Sequence, residues 1–76
     1  MNPLFTATLI VQGQSEAYDV TFEHDHYTFL AQEKNINPVS FKVFREEDEW
    51  HVKDSIPDIL KQQAISQLEY YLLQQH

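Results

Sequence analysis

The feature that most constrains this chain is a change of hydrophobic period near Ser55: apolar residues alternate with polar ones before it and recur at three- and four-residue steps after it. Alternation is the signature of strands that bury one face. Helical spacing marks a single amphipathic helix. The sequence therefore predicts several strands followed by one helix, and nothing in it repeats or reads as a linker.

Five segments alternate. Phe5, Ala7, Leu9 and Val11 share one parity in a strand expected over 4–12, and Gly13-Gln14-Ser15 breaks it. Tyr18, Val20 and Phe22 define a second strand at 17–23, and Tyr27, Phe29 and Ala31 a third at 26–32. After the loop Lys34-Asn35-Ile36-Asn37-Pro38 come a fourth strand at 39–46, with Val39, Phe41 and Val43, and a short fifth at 49–53, with Trp50 and Val52. The segment Asp54-Ser55-Ile56-Pro57-Asp58 carries helix-start chemistry, with Ser55 as the expected cap. Ile56, Ile59, Leu60, Ala64, Leu68, Tyr71 and Leu72 then form the apolar stripe of a helix over 56–74, with Tyr70 and Leu73 expected to extend its packing.

The apolar pattern also tests register, because a one-residue slip sends every side chain to the wrong face. Two-residue reversals at His24-Asp25 and Glu47-Asp48 place Phe22 opposite Tyr27, Val20 opposite Phe29, Val43 opposite Val52 and Arg45 opposite Trp50. Extension across the other connections pairs Leu9 with Val20 and Phe29 with Phe41. The expected fold is α+β: a five-strand antiparallel meander with the C-terminal helix packed on one face, in a single domain over 1–76.

Composition bounds the function. With 76 residues and no cysteine, the chain has neither disulfides nor thiolate metal sites, so its core must stabilise it alone. A net charge of −7 argues against a nucleic-acid partner, whose phosphates are held by clustered bases. The first residues lack a basic region and a long apolar run, so no membrane partner and a cytoplasmic location are expected.

Glu23-His24-Asp25-His26-Tyr27 draws attention as a metal or acid–base site, since imidazole and carboxylate are good ligands and proton carriers. The register makes His24-Asp25 a turn and puts Thr6, Glu23, His26, Phe44 and His51 in one row on the open face of the sheet. Glu23, His26 and His51 are thus the candidate metal or ligand residues of an alternative reading. The leading expectation is a non-enzymatic interaction or structural domain with no cofactor. It would bind a protein partner or a second copy through the open face, at Ile10, Leu30 and Phe44, or along the edge of the first strand. In the expected register Ile10 and Leu30 share a row, on either side of Asp19.

Overall fold

A computed structural model describes residues 2–75 of the chain. Five strands form one antiparallel sheet in the order β1-β2-β3-β4-β5, and a helix follows. The strands are β1 (Phe5–Val11), β2 (Gln14–Glu23), β3 (His26–Ala31), β4 (Ser40–Glu46) and β5 (Glu49–Val52); the helix α1 is Asp58–Gln74. The α+β meander expected from the alternation is the fold.

Three of the four sheet connections are two-residue reversals with left-handed backbone at both positions: Gln12-Gly13, His24-Asp25 and Glu47-Asp48. Such turns match the right-handed twist of the strands they join, which is why they dominate tight hairpins. The second and third stand where the apolar pattern put them, and their registers follow: Phe22 faces Tyr27 and Val20 faces Phe29, while Val43 faces Val52 and Arg45 faces Trp50. Phe29 also faces Phe41 as expected.

The first hairpin differs. Leu9 pairs with Glu16, and Val20 with Phe5 rather than with Leu9. The chain reverses at Gln12-Gly13 instead of across Gly13-Gln14-Ser15, so β2 starts at Gln14. This moves β1 by four residues along β2. An even shift keeps every side chain on its face, so the core is unchanged while the rows across the sheet are not.

The helix also departs from expectation at its start. It begins at Asp58 with Pro57 in the cap position, and among the described residues no side chain caps it, so Ser55 does not have that role. Proline suits the place because it has no N–H to satisfy. Leu60, Ala64 and Leu68, four residues apart, are the fully covered helical positions, and Ile56 and Ile65 pack beside them. Ile59 is 70% exposed, and Tyr70 and Leu73 also face solvent rather than extending the core. With 3.6 residues per turn, a stripe at 60, 64 and 68 turns 59, 70 and 73 away from the sheet.

Under the helix lie Ala7, Leu9, Tyr18, Val20, Phe29, Phe41 and Val43, all buried. Phe29 and Phe41 stack with ring centroids 4.8 Å apart, and Tyr18 meets Phe41 edge-on at 5.7 Å. The Tyr18 hydroxyl donates to the Pro38 carbonyl at 2.7 Å, tying the β3–β4 connection to the core. Phe22, expected in the core, is 48% exposed: β1 starts at Phe5 opposite Val20, so Phe22 lies past the end of β1 and has a paired neighbour only in Tyr27, on β3.

Two outcomes follow. Phe29→Ala should lose about 3–5 kcal/mol in denaturant unfolding, against a total of roughly 4–11 kcal/mol for a chain of this size, whereas half-exposed Phe22→Ala loses much less. Burial, and secondarily the Glu16 carboxylate, pushes the Tyr18 phenol above its ordinary pKa of 10.0. The folded chain therefore holds that proton more tightly than the unfolded one, and stability present below about pH 10 is lost as pH rises beyond it. Tyr18→Phe should flatten this alkaline loss, seen in melting temperatures across pH 9–12, and cost about 1 kcal/mol at neutral pH through the Pro38 bond.

Candidate functional site

One face of the sheet carries the helix, and among the described residues no helix or strand covers the other. On the uncovered face the observed registers set Glu23, His26, Phe44 and His51 in one row. Thr6, expected with them, lies opposite Asp19 instead and donates to its carboxylate at 3.1 Å. Gln32 donates to the same Asp19 oxygen at 2.9 Å, so that carboxylate is held by two neutral donors.

The histidines of the row do not converge. Phe44 stands between them, its ring 5.0 Å from that of His26 and 5.3 Å from that of His51. Strands spaced by about 4.8 Å put β3 and β5 nearly 10 Å apart, whereas zinc holds each imidazole nitrogen at about 2.0–2.1 Å. His26 Nδ1 donates to the His24 carbonyl at 2.7 Å, and Glu23 reaches the His24 ring at 3.2 Å rather than His26. Among the described residues no group of three His, Asp or Glu could hold a metal ion. What the row makes is an aromatic stack, with the Lys53 ammonium 5.5 Å over the Phe44 ring.

Between the β2–β3 and β4–β5 hairpin tips is an open notch of about 590 Å³. His24, Asp25, Arg45 and Glu46 border it, so its charges are of both signs, and neither a serine nor a threonine hydroxyl lines it.

The three residues expected to form a partner surface are spread out. Leu30 is 52% exposed beside Asp19, and Phe44 is half-buried in the histidine stack. Ile10, 49% exposed, pairs with Ser15 next to the first turn rather than sharing the row of Leu30 and Asp19. The corrected β1 register separates them.

The two edges of the sheet are unlike. At one, β5 has only four residues, begins with Glu49, and is extended by a side chain: Asp54 accepts from the Lys42 N–H at 2.8 Å where the strand has ended. Short length and charge are the ordinary means of blunting an edge. At the other, β1 is seven residues, FTATLIV, without a charge. Along an antiparallel ladder the residues alternate between bonding inward and facing outward. The outward groups of Ile10 are taken by the helix: its N–H donates to Gln63 Oε1 at 2.8 Å and its carbonyl accepts from Gln63 Nε2 at 3.1 Å. A side-chain amide thus stands in for the next strand. By the same alternation Thr6 and Thr8 face outward, and no side chain among the described residues bonds their backbone groups. Sequence reading missed Gln63, because nothing local relates it to a residue 53 positions away.

Comparison of the chain with protein-family models, curated proteins and solved structures finds no match. No helix of the described residues is long and apolar enough to cross a membrane.

The separation of the histidines predicts that zinc or copper leaves the melting temperature unchanged, since only an ion bound to the folded state raises it. A rise that His26→Ala abolishes would restore the metal-binding alternative built on Glu23, His26 and His51.

Proposed function

We propose that this chain is a small protein-interaction domain without catalytic activity, which binds an extended segment of a protein partner along the edge of β1. The observation that carries this reading is the contrast between the edges: β5 is short and charged, and β1 is long and uncharged, in a chain with seventeen charged side chains by its count of twelve acids and five bases. The first charged residue is Glu16, beyond the first turn. A strand without charges offers no repulsion to another strand, and Thr6 and Thr8 offer the donors and acceptors of a ladder.

Strand addition draws affinity from the main chain and selectivity from alternate side chains. A segment laid against β1 has Thr6, Thr8 and Ile10 beside it on the uncovered face, with Leu30 and Phe44 further across the sheet. On the other face it has Ala7 and Leu9, so its apolar residues would extend the existing core.

Thr8→Pro tests this. Proline removes one outward N–H, is tolerated on edge strands, and leaves the inward ladder intact. Proteins retained from an extract of the native host by the wild-type domain should be lost with Thr8→Pro at an unchanged melting temperature. Retention of the same proteins by both would remove the edge as the binding site.

A further inference from the structure

Beyond the strand edge itself, one flank of the helix shares its character. Gln63 reaches the outward side of Ile10, so the flank of α1 that carries Gln63 is turned toward the free edge of β1. Steps of three and four residues from Gln63 lead to Ile59, Ser66, Gln67 and Tyr70, which therefore stand on that same flank. None is charged, whereas Lys61 and Glu69 fall on other sides of the helix. Ile59, Gln62, Gln63, Ser66 and Gln67 line one shallow depression of about 320 Å³. Ile59 and Tyr70, at 70% and 65% exposure, are large apolar side chains left in water beside an edge strand that also lacks charge.

We infer that the segment received by β1 is β1 of a second copy, in an antiparallel dimer whose two helices meet along the Ile59–Tyr70 flank; this deepens the edge-strand reading and rests on it. The free backbone groups select the register. Each copy offers Thr6 and Thr8, while Ile10 is already bonded by Gln63. Placing Thr6 opposite Thr8 of the second copy, with the two-fold axis through Ala7, satisfies both outward residues of both chains and leaves each Gln63 bond in place. Placing Thr8 opposite itself sets Thr6 against Ile10 of the second copy and displaces two Gln63 amides. In the favoured register Phe5 falls opposite Leu9 of the second copy, so the two apolar faces join into one.

Self-complementarity is the reason to assign a second copy rather than an unrelated segment. A chain of net charge −7 repels its own kind everywhere that its acids stand. The β1 edge and the Gln63 flank of α1 are adjoining surfaces without that repulsion. A two-fold axis at Ala7 brings like surface to like on both layers at once, strand to strand below and helix to helix above.

Sedimentation from micromolar to millimolar protein tests the dimer, with Ile59→Glu and Tyr70→Glu as exposed substitutions whose melting temperatures report that the fold persists. The expected result is a monomer–dimer equilibrium in which each glutamate weakens association about tenfold or more. The Thr6 and Thr8 amides should also exchange with solvent more slowly as the dimer fills. A monomer at every concentration, or a dimer indifferent to both glutamates, overturns the inference. If the chain stays monomeric while Thr8→Pro still abolishes capture from extract, the second copy is wrong and the edge reading stands. If neither effect appears, both fail.

Discussion

Everything in this molecule depends on one helix covering one face of a sheet. Seventeen residues make α1 about 25 Å long and about 10 Å wide, whereas five strands make a sheet nearly 20 Å across. A single helix of that width cannot shield the whole face. The row centred on Phe29 and Phe41 is covered and packed ring on ring; the Phe22–Tyr27 row, past the end of β1, is only partly dry. The Trp50 indole N–H is enclosed without an acceptor among the described residues, and the Arg45 guanidinium lies 5.0 Å over its ring. The core is thus dense on the β1 side and looser toward β5.

That position of the helix also decides what each edge is like. Lying toward β1, α1 can send Gln63 around to Ile10, and it touches no other edge in this way. The remote edge is finished by its own brevity and by Asp54. Where the helix is near, edge protection is supplied by one amide; where it is far, by charge and termination. Thr6 and Thr8, on the β1 edge, are reached by neither device.

Much of this was legible in the sequence, and what was not has a common cause. Period-two alternation fixed which residues of each strand face the helix, because burial discriminates sharply between odd and even positions. His24-Asp25 and Glu47-Asp48 could be located because only those centres bring apolar residues together on both sides. For β1 and β2 a shift of four residues leaves every face as it was, so hydrophobicity has no power to choose; the left-handed pair Gln12-Gly13 chooses. Ile59 read as core because it continues a helical spacing from Ile56, but Ile56 precedes the helix and does not share its phase. The hydrogen bonds of Gln63 join residues from opposite ends of the chain, and glutamine on a helix carries no mark of what it will meet.

Each strand of the meander pairs with the one before it, so the backbone ladders close only short loops, and the long closure between Ile10 and Gln63 is made by a side chain. Loop-closure entropy is accordingly concentrated in the landing of α1. Until the helix arrives the apolar face of the meander stays wet. The same amide that marks the helix as seated also closes one rung of the β1 edge. The undocked chain consequently exposes an apolar sheet face and an uncharged, fully open strand at the same moment, the combination that leads to aggregation; seating the helix covers the face and closes the Ile10 rung, which narrows the open edge to Thr6 and Thr8.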